Sequence, residues 1–366
     1  MKDKTDIEQE FERAPADFMG KYAVYPTDYV GKPPSVYDKS VKDLALDDKL
    51  TIKRRASMIA YARLEEIPFD SLNAKKNSYA AKFFSAEAAV GHEAKCIPLW
   101  FLPWWSNAIT SLTITPKIPP RPDVKSLDPD FFFTASINGC SVFVHGSPKA
   151  PTVSHAGTAD PRATKAVETT AVFNGTFDTG KKLNTPNASF FAAGNARDHW
   201  TSVHQRHFGD GTNASSIHTS DYKNYLGTGN TPQALEYDKF LRDSSGRELR
   251  IDEVQSSGCV FGLRDPAGDW SFYLQKNIEV KVTKLRKKKH LFQKNAYVPN
   301  VVPSGRVVIK NYEGTIVHEN EMIEEQIQMS IPIYVMKFFP GDRSADAGTA
   351  MLDKNTVKMV VQQAVG

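Results

Sequence analysis

The sequence predicts an α+β protein with a β-rich core of packed mixed or antiparallel sheets, sandwich-like, flanked by helices and long loops. Three observations lead there. Segments of alternating, β-branched character fill the middle of the chain, helix formers gather towards both ends, and polar glycine-rich stretches separate the strands.

The N-terminal elements are the least regular. Residues 1 to about 50 include YPTDYVGKPPSVYDKS, whose Pro, Tyr and polar content predicts an extended arm or linker. Leu44 to Glu66 carries helix formers with apolar residues at Ile52, Met58, Ile59 and Leu64, and predicts a helix. SYAAKFFSAEAAVGHEAK predicts a second helix, with Gly91 as its terminator. Residues 1–95 therefore read as a helical or irregular extension, and 96–366 as an α+β domain.

Past Cys96 the texture changes. ITSLTITP (Ile109–Pro116) alternates as a strand does, and strands follow at Phe131–Ile137, Ser141–His145 and Thr152–His155. Residues 174–230 are rich in Gly, Asn, Thr and Ser, and predict a long functional or covering loop. GCVFGLR and WSFYLQ, joined by Pro266-Ala267-Gly268-Asp269, predict a hairpin. Strands are also expected at Asn277–Leu285, Val307–Asn311 and Ile331–Phe339, and a helix over 349–365.

Composition narrows the function classes. The 366 residues carry a net charge of only +4, which gives no general argument for nucleic acid or a membrane surface. The three cysteines, Cys96, Cys140 and Cys259, are too few and too far apart for a disulfide framework. No C-x-x-C is present. MKDKTDIEQEFERAP lacks the apolar core of a signal peptide, and CIPLWFLPWW is too short to span a bilayer, so a soluble chain is expected.

One stretch, Phe131 to Thr158, has residues suited to covalent chemistry. Gly139 before Cys140 permits a tight turn that exposes the sulfur. A turn between Gly146 and Pro151 would fold the next strand back, bringing His155 almost opposite Cys140. A thiolate needs such a base, and the Cys140 backbone N–H is the simplest oxyanion donor. Asn138, Gly139 and His145 are further pocket candidates, although His145 before Gly146 also reads as a turn residue. The plain alternative is two core strands holding a buried Cys and His.

Other features have ordinary readings. Ser257-Gly258-Cys259 starts the predicted hairpin, so Cys259 reads as core, and Cys96 as a packed thiol that could pair with His92. Asp198, His199, His204, His207 and Asp210 read as a solvated cluster rather than a zinc site, and no metal is expected. Trp100, Trp104 and Trp105 read as a core or seam, and KVTKLRKKKH as a solvated basic edge.

The stretch resembles the catalytic signature of the cytotoxic necrotizing factor family of bacterial toxins, with the related Burkholderia lethal factor. That family shares a Gly-Cys motif, usually Leu-Ser-Gly-Cys, and a later histidine that sits in His-x-Gly-Thr in the necrotizing factors. This chain has Ile137-Asn138-Gly139-Cys140 and His155-Ala156-Gly157-Thr158. The resemblance spans Thr134 to Thr158 and departs from the usual pattern at Ile137 and Asn138.

It implies that Cys140 is the nucleophile, that His155 is the base, and that Thr134 orients the histidine through its carbonyl. The implied activity is deamidation of a glutamine or asparagine in a host protein such as a Rho GTPase or a translation factor. The catalytic unit would be residues 96–366, working as a monomer without a cofactor. The implied setting is synthesis in a bacterial cytoplasm without a cleaved signal, then delivery to host cytosol, with no stable membrane insertion and no nucleic-acid partner. A thiol protease or transglutaminase would use the same dyad. A non-enzymatic β-sandwich binding module would use neither residue.

Overall fold

The computed structural model describes residues 3–30, 59–67, 78–103, 109–117, 127–137, 140–156, 214–222, 248–288, 296–303 and 326–341, with shorter pieces at 168–169, 172–173, 183–184, 200–201, 204–205, 208, 240–242, 308–309, 316–318, 322–324 and 358. The helix predicted over 349–365 lies, Lys358 apart, outside the described residues. So do Trp104, Trp105, Asn138, Gly139, Asp198, His199, His207, Asp210 and most of 174–230.

Helices α1 (Asp6–Arg13) and α2 (Pro15–Lys21) come first. Thr5 caps α1 in a reciprocal box. The Glu8 N–H donates to Thr5 Oγ1 at 3.3 Å, and the Thr5 N–H donates to Glu8 Oε2 at 2.8 Å. Pro15 supplies the fixed φ that suits the first turn of α2. The Glu8 carboxylate is also buried against a strand, where it accepts from Arg63 Nε at 2.5 Å and from the Leu64 N–H at 3.0 Å. Removing the Arg63 charge would leave the buried Glu8 carboxylate without its counter-ion, at a cost of about 3–5 kcal/mol.

The strands are β1 (Ala23–Val30), β2 (Ile59–Glu66), β3 (Ser78–Phe84), β4 (Ile97–Leu102), β5 (Ile109–Thr113), β6 (Phe131–Thr134), β7 (Ser141–Ser147), β8 (Ala150–Ala156), β9 (Glu168–Thr169), β10 (Val172–Phe173), β11 (Leu183–Asn184), β12 (Ser215–Ile217), β13 (Phe240–Arg242), β14 (Glu248–Arg264), β15 (Trp270–Lys288), β16 (Ala296–Pro299), β17 (Val301–Pro303), β18 (Val308–Ile309), β19 (Ile316–His318), β20 (Met322–Glu324) and β21 (Gln326–Phe339). Among the described residues, one ten-stranded sheet runs β1-β3-β2-β4-β6-β14-β15-β16, with β13 added on β14 and β21 on β15. A five-stranded sheet runs β10-β5-β8-β7-β12. Pairs β1/β3, β4/β6 and β10/β5 are parallel, so both sheets are mixed. The β-rich α+β expectation holds.

The N-terminal region differs from its prediction. The described parts of the two expected helices contain strands β2 and β3, with only a helical turn at Ala86–Ala89 and a 3-10 turn at Glu93–Lys95. Ala, Leu, Arg, Glu and Lys favour helix in isolation, but burial alternates along β2 and β3 with the two-residue period of a strand. These strands also join β4, β6, β14 and β15 in one sheet, which therefore runs across residue 95 without a break.

Three layers result. Phe11, Phe18 and Met19 of the helices cover one face of the large sheet, against Phe83, Phe101, Phe133 and Phe261. Its other face, with Trp100, Phe132, Trp270 and Phe272, packs on Val142, Val144 and Val153 of the small sheet. The predicted hairpin is present as β14 and β15, turning at Gly268 with φ +90°, and its ladder extends from Arg264↔Trp270 to Leu249↔Lys284. Gly262 has a packing reason, because a Cβ there would lie 2.8 Å from the Phe272 ring.

Candidate active site

Strands β7 and β8 form the predicted hairpin, and its turn is tighter than expected. Ser147 pairs with Ala150, which leaves Pro148 and Lys149 as the loop. The register sets Val142 opposite His155 and Val144 opposite Val153. Side chains alternate between faces, so Val142, Val144, Val153 and His155 all point into the layer between the sheets. Cys140 lies two residues before Val142 and belongs to the same buried cluster. Cys140 and His155 therefore share a face as diagonal neighbours. Such pairs sit roughly 7–8 Å apart between backbones, and closer between side chains. The sequence placed them almost opposite; the register offsets them by one diagonal step.

Both residues are enclosed. Cys140 is 4% exposed and His155 is 0% exposed. Among the described residues, neither ring nitrogen of His155 has a hydrogen-bond partner. Across the β5/β8 pair it faces Thr110, whose buried hydroxyl is also unbonded. Burial pushes the imidazole pKa down to about 3, so the ring is neutral around neutral pH. A neutral imidazole can accept a thiol proton, but this is not a preformed thiolate–imidazolium pair.

Thr134 ends β6 and is buried, with Phe132 two residues earlier pointing into the inter-sheet layer. Its hydroxyl donates to the Ala135 carbonyl at 2.7 Å. Its carbonyl does not hold His155, since both imidazole nitrogens are unbonded. The orienting contact implied by the resemblance is thus not made. Asn138 and Gly139 lie outside the described residues.

His145 does not share the pocket. It is a strand residue opposite Thr152, and an odd number of positions separates it from Cys140, which turns it to the outer face. There its ring lies 5.1 Å from His204 and 4.6 Å from Phe208, centroid to centroid. The same outer face carries hydroxyl pairs Ser111–Ser154 at 2.8 Å and Thr113–Thr152 at 2.9 Å.

The sequence reading missed Tyr222 altogether. The Cys140 N–H donates to the Tyr222 hydroxyl at 2.7 Å, and that hydroxyl donates to the Cys140 carbonyl at 2.9 Å. The Cys140 N–H is therefore already engaged rather than free to receive an oxyanion. Tyr222 closes a helical turn, Thr219–Tyr222, tied down on three sides. The His218 ring lies between Ser141 Oγ at 3.0 Å and Ser216 Oγ at 2.9 Å. The His218 N–H donates to Asp221 Oδ2 at 2.6 Å, and Tyr334 of the large sheet donates to the Asp221 carbonyl at 2.8 Å. The only sequence signal was the expectation that 174–230 holds a functional or covering loop.

The other cysteines are elsewhere. Cys259 points into the helix-side core, where burial pushes its thiol pKa up. Cys96, at the end of a 3-10 turn, is buried with a raised pKa of the same origin. Trp100 is core. Among the described residues, no group of three or more His, Cys, Asp or Glu could hold a metal ion, and no helix is long and apolar enough to cross a membrane. No family model matches the chain, and no curated protein is similar to it.

Proposed function

We propose that the protein is a cysteine–histidine hydrolase that converts a carboxamide side chain of another protein, glutamine or asparagine, to the acid. The observation that carries this reading is His155, a buried imidazole with no hydrogen-bond partner among the described residues, on the same face as Cys140. Leaving buried polar groups unsatisfied costs about 1–3 kcal/mol each, and folds tend to retain such groups where they perform chemistry.

In the proposed reaction His155 takes the Cys140 thiol proton and the thiolate attacks the carboxamide carbon. The C–N bond breaks, and imidazolium returns the proton to the departing ammonia. Neutral His155 then takes a proton from water, whose oxygen attacks the thioester. The C–S bond breaks, the acid leaves, and Cys140 regains its proton. A cysteine that is 4% exposed suits one thin side chain better than a main chain laid across it, which favours the carboxamide over a peptide bond. A toxin or effector role, with a host GTPase or translation factor as substrate, is supported by the sequence resemblance over Thr134–Thr158.

The test is alkylation of native protein with iodoacetamide from pH 5 to 9, read at each cysteine by mass spectrometry, for wild type and His155→Asn. Selective, His155-dependent labelling of Cys140 is expected, followed by amide-to-acid conversion and ammonia release on candidate GTPases. An inert Cys140, or equal rates in both proteins, would make the hairpin ordinary core and leave the binding-module reading standing.

A further inference from the structure

We infer that Tyr222 is a positioning residue for Cys140, fixing the peptide from which the sulfur departs; this rests on the proposed role of Cys140 as nucleophile. Strand β12 pairs with β7 as far as Ile217 opposite Val142. Two residues further along, one phenol hydroxyl takes both main-chain groups of Cys140. The hydroxyl thus does for this single residue what a neighbouring strand does for the rest of β7. A strand would place side chains beside the sulfur; a phenol reaching in from a turn holds the backbone alone.

The surroundings are arranged for that reach. Tyr222 is fully buried, and its ring lies against the backbone of β14 at Gly258. A Cβ on Gly258 would stand 2.9 Å from Tyr222 Cγ and 2.7 Å from Ile137 Cδ1. Ile137 itself bridges to Gly258, three residues before Cys140. One glycine on the large sheet therefore leaves room both for the phenol and for the chain leading into the nucleophile. The segment carrying Tyr222 is anchored to both sheets, to the small one through Ser141 and Ser216 and to the large one through Tyr334.

The experiment compares the pH profile of Cys140 alkylation in wild type, His155→Asn, Tyr222→Phe and Tyr334→Phe. Tyr222→Phe keeps the ring but releases the Cys140 peptide. It is expected to slow alkylation at pH 7 by about tenfold and to displace the midpoint of the profile. Exchange of the Cys140 amide with deuterium should speed up, while the Val142 and Val144 amides keep their rates. Tyr334→Phe breaks a bond of the same segment without touching Cys140, and should leave the profile unchanged.

A wild-type profile in Tyr222→Phe, or an equal shift in Tyr334→Phe, would overturn the assignment while leaving a His155-dependent Cys140 intact. A wild-type Cys140 that is inert would overturn both readings. If Tyr222→Phe does not fold, 3-fluorotyrosine at position 222 replaces it. That phenol is a stronger donor and weaker acceptor of the same shape, and an unmoved midpoint would again overturn the assignment.

Discussion

Cys140 and Cys259 each follow a glycine in the sequence, and the two cysteines serve opposite ends. Cys259 sits inside the long β14/β15 ladder, paired with Gln275, and its side chain turns away into the helix-side core. Cys140 sits just before β7, with His155 on its face and Tyr222 holding its peptide. The glycine before Cys259 does not serve its own neighbour. Gly258 makes room for Ile137 and Tyr222, which lie beside the other cysteine. A closer literal match to a catalytic motif is thus the scaffold, and the looser match is the candidate site. What separates them is whether polar groups gather around the cysteine residue, which a dipeptide does not encode.

The sharpest way to break this contrast is to remove each sulfur in turn. Cys140→Ser should lower carboxamide hydrolysis by on the order of a thousandfold or more, measured as ammonia release. Cys259→Ser should leave turnover intact and cost about 1–3 kcal/mol in urea unfolding, because it buries a hydroxyl in an apolar layer. Loss of turnover in the Cys259 variant alone would reverse the assignment.

Gly258→Ala comes next. The added methyl has no room beside Ile137 and Tyr222, and overpacking of this kind costs about 1–3 kcal/mol. Since Gly258 lies under the phenol that holds Cys140, the same variant should also disturb Cys140 alkylation. A variant as stable as wild type would show that the two neighbours shift freely.

A pH-dependent effect concerns His155 and acid. Burial leaves its pKa at about 3 in the fold, against about 6.5 in the unfolded chain. The unfolded chain therefore binds this proton first. Stability that is present above pH 6.5 is lost as pH falls towards 3, with a slope of up to about 1.4 kcal/mol per pH unit. His155→Leu should remove that part of the acid sensitivity and should not destabilise at pH 7, because it replaces an unbonded polar ring with an apolar side chain. Unfolding curves of both proteins at pH 7, 6, 5 and 4 isolate the difference. Parallel curves would mean that the ring is solvated or bonded in solution.

Where the fold was legible in the sequence, the signal was local. Pro266-Ala267-Gly268-Asp269 announced the hairpin, alternation marked β5, and β-prone runs marked β7 and β8. The face shared by Cys140 and His155 followed from the same two-residue period and one turn. β2 and β3 were misread as helical because their alanines and charged residues favour helix, while the pairing partners that make them strands lie far along the chain. Tyr222 was hidden for a similar reason. Its bond to Cys140 spans 82 residues, and nothing near either residue marks it.

The Gln275 side chain carries a consequence for how the molecule is made. Its amide donates to the carbonyls of Met19 at 2.5 Å and Tyr22 at 2.8 Å, and its oxygen accepts from the Val24 N–H at 2.9 Å. One glutamine of β15 thus supplies the hydrogen bonds of the chain where α2 passes into β1. At synthesis rates of about 5–20 residues per second, the ribosome delivers that glutamine tens of seconds after Met19. Ser330, whose carbonyl accepts from Ser78 Oγ at 2.8 Å, arrives later still. During translation the end of α2 and the start of β1 must wait for the Gln275 side chain, so they are elements a chaperone would meet. The Cys140–Tyr222 bond needs only residues made before Gln275, whereas the Tyr334 bond that anchors the same segment comes later.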